Sequence, residues 1–259
     1  MRQTIRFLAT AFALVASLLA AEASAAELNV LSAGSMRGVL QELAPAFEAT
    51  SGHKLKIEYA IPSVIEQKLA AGEAIDVVIL TKPSIDKLVG QAKIVGGTAT
   101  TLARAQIGLA VKKGAAKPDI GSVESVKKAL LNAKSVAYPD PASGLASESQ
   151  VIEKLGIATE LKPKTRFVSA SGAQGPVNVG EVVLRGEAEI GIQPIPLLME
   201  VEGIDIVGPL PAELQSPAPV YAAGSPFFSE QPIAAKALID FLADPKAAPV
   251  YKAEGLQPG

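Results

Sequence analysis

Between Leu28 and Val89 the chain alternates three short apolar runs with three stretches of helical spacing, and every joint between them is short. Leu28 to Val30 reads as a buried strand and Ser32 to Ser35 as a small-residue turn. Met36, Val39, Leu40, Leu43 and Phe47 then recur on one helix face. Lys56 to Ala60 alternates as a second strand. Pro62 and Ser63 open a helix through Ile65 and Leu69, with Ser63 and Glu66 spaced as a capping box. Ile75 to Leu80 is a nearly unbroken apolar run, the pattern of a parallel strand covered on both faces, and Pro83 starts the helix of Ile85, Leu88 and Val89. Such alternation specifies an α/β sheet with right-handed crossovers, in which ligands gather at the carboxyl ends of the strands.

Later segments continue the pattern. Strands are expected at Ile107 to Val111, Ser135 to Tyr138, Arg166 to Ser169, Glu189 to Gln193, Gly203 to Val207 and Pro217 to Ala223. Helices are expected at Val123 to Leu131, Leu145 to Leu155, Val177 to Leu184, Pro232 to Leu242 and Pro245 to Tyr251. Two further polar, small-residue loops join strand to helix: Pro139 to Gly144 and Ser169 to Pro176. With Ser32–Ser35 and Ser63 they make four such joints. A helix start leaves backbone N–H groups unpaired at the positive end of its dipole, which suits a small anion. Ser35 taken alone is better explained as a helix cap; the repetition of the design in later loops is what favours an anion site.

Met1 to Ala25 carries Arg2 and Arg6, an apolar run from Phe7 to Ala20 and the small-residue signal Ala23-Ser24-Ala25. This predicts a cleaved secretory leader and a soluble chain exported to the periplasm. The formal net charge is −2, from 24 Lys and Arg against 26 Asp and Glu. With no basic field, neither nucleic acid nor lipid headgroups are expected as partners. The absence of cysteine excludes disulfides, thiol catalysis, thiolate metal sites and a lipid-anchored cysteine. Trp is absent and aromatics are few, which disfavours ligands that need stacking. His53, the sole histidine, follows Gly52 in a helix-stop sequence and reads as a turn residue. No metal cluster or nucleotide loop is present, so neither metal nor cofactor is expected.

Val30-Leu31-Ser32-Ala33-Gly34-Ser35-Met36, Gly72-Glu73-Ala74-Ile75-Asp76-Val77, Asp140-Pro141-Ala142-Ser143-Gly144 and Arg185-Gly186-Glu187-Ala188-Glu189-Ile190-Gly191-Ile192 occur in an order and spacing that resembles the periplasmic molybdate-binding proteins and their wider relatives. The resemblance implies a two-lobed type II periplasmic binding protein, each lobe a mixed sheet flanked by helices. Residues 26–102 and 208–259 would form one lobe and 103–207 the other. A monomer would close on a small anion, an oxyanion or a di- or tricarboxylate, and deliver it to an ABC permease of the inner membrane.

Carried over by position, the resemblance implies ligand contacts at Ser35, at Ser63 beside the family's second serine position, at Ser143, near Val177 and at Gln193 beside the family's tyrosine position; the polar loops and helix starts themselves add Ser32, Arg37, Gly144, Gln174 and Asn178 as candidates. The family's second oxyanion serine falls at Pro62 and its ligand-binding tyrosine at Pro194. Both departures favour a larger guest than a bare tetrahedral oxyanion, with Gln174, Asn178 and Gln193 as longer arms. Gly203-Ile204-Asp205 followed by Gly208-Pro209-Leu210-Pro211 also resembles a branch related to periplasmic aconitate isomerase, a cofactor-independent enzyme. On that alternative Asp140, Tyr138 or Glu181 carries the proton, and Arg37 or Arg166 clamps a carboxylate. Each residue has a plainer account. Asp140 lies between prolines as a turn residue, Glu181 and Arg185 are spaced as a helix-surface ion pair, and Arg166 belongs to a basic surface with Lys162 and Lys164.

Overall fold

The computed structural model describes residues 25–141, 147–169, 178–215 and 218–259. The chain starts as β1 (Glu27–Ser32), α1 (Arg37–Ser51), β2 (Lys54–Tyr59), α2 (Pro62–Ala70), β3 (Val77–Thr81), α3 (Lys82–Gly90) and β4 (Thr100–Ala105). It crosses into a second unit: β5 (Ile107–Lys112), α4 (Val123–Asn132), β6 (Val136–Pro139), α5 (Ser147–Leu155), α6 (Ala158–Leu161), β7 (Thr165–Val168), α7 (Val179–Leu184), β8 (Ile190–Pro194), α8 (Ile195–Met199) and β9 (Ile204–Pro209). It then returns as β10 (Val220–Gly224), α9 (Pro232–Ala243), α10 (Ala248–Ala253) and β11 (Leu256–Pro258).

Two mixed sheets result, ordered β11-β4-β10-β3-β1-β2 and β7-β6-β8-β5-β9. In the first, β1 runs parallel to β2 and β3 while β10 is antiparallel to β3 and β4. In the second, β6 is parallel to β7 and β8, and β5 is antiparallel to β8 and β9. The apolar run of β3 is buried from Val77 to Leu80, as a central strand covered on both faces requires. Edge strand β2 alternates exposed and half-buried residues.

Each sheet has its own core. Leu28, Leu40, Ile79, Leu80 and Ile85 pack with Tyr221, Leu238 and Tyr251 in the first, and Ile107, Leu109, Val126, Ile152 and Ile192 pack in the second. Leu210 and Leu214 also belong to the second core, so the stretch that follows β9 packs with the second sheet. The reason is local. Strand β9 stays paired with β5 as far as Pro209, and the buried amide of Gln215 fastens the following turn to β5. Gln215 Oε1 accepts from Ile107 N–H at 2.8 Å, and its Nε2 donates to the carbonyls of Ile107 at 2.8 Å and Leu210 at 2.9 Å. The turn after β9 is thereby fastened to the start of β5.

Three local expectations need correction. Ser63 does not cap α2: the cap position is Ile61 with no side-chain hydrogen bond, because Pro62, whose ring presets a helical φ, occupies the first turn. Ser35 does not cap α1 either. It sits inside a short 3₁₀ turn, Gly34–Met36, that precedes the helix. Strands β4 and β11 and helices α6 and α8, too short or too polar to stand out in the sequence, complete the layers. Gly52 does end α1, in the left-handed conformation at φ 76°.

Candidate functional site between the lobes

Strand β1 ends at Ser32, and the chain turns sharply because Ala33 N–H donates to Ile79 on the neighbouring strand. Ser32 is buried, with its hydroxyl turned onto the Ala33 carbonyl at 3.1 Å. Ser35, 5 % exposed, points its hydroxyl at Tyr221 of β10, whose phenolic O–H donates to Ser35 Oγ at 2.8 Å. Accepting this bond leaves the Ser35 hydroxyl hydrogen to be directed elsewhere. Burial holds the Tyr221 phenol well above its ordinary range; the bond to Ser35 opposes that shift and the charge of Glu148 adds to it.

Glu148 comes from the other lobe, in the first turn of α5, and is 1 % exposed. It occupies the buried stripe of α5 with Val151, Ile152 and Leu155. An acid at that place in the i, i+3, i+4, i+7 series is a visible departure from an apolar face, and it is the signal by which sequence reasoning could have found the residue.

Arg37, at the start of α1, reaches the opposite lobe as well. Its Nε lies 3.4 Å from Glu200 Oε1, an ion pair without hydrogen-bond alignment, and its guanidinium carbon stands 4.2 Å above the centre of the Tyr59 ring. Desolvation raises the Glu200 carboxyl above its ordinary range; Arg37 opposes this and Glu254 adds to it. The Tyr59 hydroxyl is likewise raised by burial, against Arg37.

Asn178 and Gln193 organise the start of α7. Asn178 Oδ1 accepts from Gly180 N–H at 2.9 Å, its Nδ2 donates to the Leu197 carbonyl at 3.1 Å, and the wholly buried Gln193 accepts through Oε1 from Val179 N–H at 2.8 Å. Two first-turn N–H groups of α7 are thus met by side chains of the same lobe. Ser63 is half-buried in the first turn of α2. Ser143, Gly144, Gln174 and Val177 lie outside the described residues.

The three residues considered as proton carriers each have partners of their own. Tyr138 is buried in the second core, edge-on to Phe167 at 5.2 Å. Asp140 accepts from the Ser169 hydroxyl at 3.1 Å, while its backbone N–H donates to Val168. Glu181 is exposed and pairs with Arg185 at 3.6 Å, whose Nε also meets Glu187 at 2.6 Å. Arg166 is exposed on edge strand β7. A surface groove lined by Lys117, Asp119, Lys128 and Glu189 includes none of the predicted contacts. Among the described residues no group of three or more His, Cys, Asp or Glu could hold a metal ion, and no helix is long and apolar enough to cross a membrane.

Residues 28–257 match the family model described as bacterial extracellular solute-binding protein. The chain belongs to that family. It is 36% identical over 236 residues to an aconitate isomerase from a Pseudomonas species, covering 89% of this chain and 87% of that protein. It is 29% identical over 250 residues to the molybdate-binding protein ModA of Azotobacter vinelandii, covering 94% of each. Among solved structures, the periplasmic molybdate-binding protein of Azotobacter vinelandii superposes with a TM-score of 0.70 at 22% identity, over 88% of this chain and 98% of that one. Two mixed sheets flanked by helices, joined by crossing segments, are the type II periplasmic binding architecture shared with that structure.

Proposed function

We propose that this family member resides in the periplasm after loss of Met1 to Ala25, takes a small polycarboxylate between its lobes, and interconverts cis- and trans-aconitate. The observation that carries this reading is the composition of the interlobe site. The buried Ser35–Tyr221 hydrogen bond lies two residues along the chain from a guanidinium, Arg37, that reaches Glu200 of the other lobe at 3.4 Å. A guanidinium recognises planar carboxylates, and the Nε of Arg37, outside hydrogen-bond alignment with Glu200, has a donor for one. The identity to an aconitate isomerase over most of both chains supports the same reading.

Pro62 and Pro194 add to it. Both are buried and neither carries a hydroxyl, so two short donors expected around a tetrahedral oxyanion are missing. A second reading, capture of a small anion for an inner-membrane ABC permease by a monomeric carrier, is favoured by the match to ModA along nearly the whole chain. Incubation of the mature protein with cis- or trans-aconitate, followed by proton NMR, separates the two. Conversion of either isomer is expected. Tight binding of molybdate or sulfate with neither aconitate bound or converted would replace the isomerase reading with the carrier one.

A further inference from the structure

We infer that Tyr59 is a positioning residue for substrate binding: its ring seats the Arg37 guanidinium and leaves the N–H groups of Arg37 for a substrate carboxylate. The inference rests on the isomerase reading and adds the residue that places its carboxylate clamp. Tyr59 is the last residue of edge strand β2 and stands in register with Ser32, the last residue of β1. Ala60 N–H, one residue on, donates to the Ser32 carbonyl at 3.1 Å. Tyr59 thus lies at the same end of the sheet as the Ser35 turn and the start of α2, the end at which an α/β sheet takes its ligands. Its ring is half-buried and packs against the first core, so its place is fixed by the lobe that carries Arg37. The guanidinium carbon stands 4.2 Å from the ring centre, inside the reach of about 6 Å for attraction between a cation and a ring face.

The place of Arg37 in the chain does not by itself favour a cation. It opens α1, where the positive end of the helix dipole repels a guanidinium. Two carboxylates offset this: Glu200 across the lobes, and Glu254, whose Oε2 fills the space beside Gly38 in the same first turn. Neither fixes the donors of Arg37. The pair with Glu200 spans 3.4 Å, and Nε, although buried, has no hydrogen-bond partner among the described residues. Tyr59 acts differently from a carboxylate. A carboxylate holds a guanidinium by accepting from its N–H groups, whereas a ring face attracts the positive charge and consumes no donor. Seated on Tyr59, Arg37 keeps its forked donor set for a planar carboxylate, the shape that the fork matches with two parallel bonds. A long side chain also loses rotamer freedom when it grips a ligand, and one already held against a ring has less to lose.

The test is a double-mutant cycle on the mature chain, comparing wild type, Y59L, R37Q and Y59L/R37Q, with Y59F beside them. Calorimetry reads the binding of trans-aconitate and NMR its turnover. Y59L is expected to weaken binding about 3- to 10-fold and to raise KM by a similar factor with kcat within about 2-fold, because the clamp holds a carboxylate rather than the reacting carbons. Y59F keeps the ring and is expected to restore affinity to within about 2-fold of wild type. In the R37Q background Y59L is expected to weaken binding no further, since the ring then has no cation to seat. An equal loss from Y59L with and without Arg37 overturns the proposal, as does wild-type affinity in Y59L or in R37Q. Each of these results leaves the isomerase reading intact as long as the wild-type chain converts aconitate. Failure of the wild-type chain to bind or convert either isomer overturns both. If Y59L does not unfold cooperatively in urea, Y59I, whose branched side chain suits a strand, takes its place with the same outcomes.

Discussion

A tyrosine hydroxyl enclosed in an apolar lobe needs an acceptor, and Tyr221 has Ser35 at 2.8 Å. Removing that acceptor leaves the phenol unsatisfied, at about 1–3 kcal/mol, while removing the phenol leaves a serine that can turn to other partners. Ser35→Ala should therefore lower stability by about 1–3 kcal/mol, and Tyr221→Phe by less. On the proposed site Ser35 is also a ligand donor. The loss of one bond to an anion, about 1.5–3 kcal/mol, should weaken trans-aconitate binding by roughly 10-fold or more. Urea titration and calorimetry on one preparation of each variant check the pair. Unchanged affinity in Ser35→Ala would reduce the residue to a structural acceptor for Tyr221.

Elements whose whole face is buried were legible from the sequence, and those defined by a few contacts were not. β1, α1 and β3 follow directly from the spacing of Leu28, Val39, Leu43 and the run ending at Leu80, because one period serves each element along its full length. The cap assigned to Ser63 failed because Pro62 fits the first turn of α2 whatever follows it, and β4 was missed because Thr100, Thr101 and Arg104 dilute its apolar pattern. The site was half legible. Ser35 and Arg37 lie on an element the sequence specifies, whereas the meeting of Ser35 with Tyr221, 186 positions later, depends on the return of β10 beside β3. Gln215 was invisible for the same reason: its meaning is the long-range tie to Ile107. Gln215→Leu removes the acceptor of Ile107 N–H and the donor to the Leu210 carbonyl, while the Ile107 carbonyl keeps Leu210 N–H, so it should cost about 2–6 kcal/mol, from about 1–3 for each of the two groups left unsatisfied. The midpoint of urea unfolding measures this, and a loss under about 0.5 kcal/mol, the scale of an ordinary surface change, would mean that the turn after β9 does not need the tie.

Across the whole molecule, contact between the two lobes holds unlike charges together at the price of desolvating them. Arg37 reaches over from the first lobe to Glu200 in the second, with Tyr59 beneath the guanidinium and Glu254 near enough to act on Glu200. Desolvation is the largest influence on Glu200 and raises its carboxyl above 4.5, so the folded chain holds this proton more tightly than the unfolded one. The stability contributed by the group is therefore fully present below pH 4.5 and is lost as pH rises through the raised folded value. Glu200→Gln cannot ionise, so that pH dependence should vanish. Urea midpoints for the wild type should fall, relative to Glu200→Gln, between pH 4.5 and neutrality. Parallel profiles would show that Arg37 fully offsets the desolvation and that the ion pair, rather than the buried proton, governs this contact. The same comparison bears on ligand capture. A polycarboxylate that draws Arg37 away from Glu200 leaves the raised carboxyl with Glu254 and less opposing charge, so binding should be accompanied by proton uptake at Glu200. Calorimetry of trans-aconitate binding in two buffers of different ionisation enthalpy should show that uptake in the wild type and a reduced one in Glu200→Gln. Equal uptake in both would remove Arg37 from the set of groups that the ligand engages.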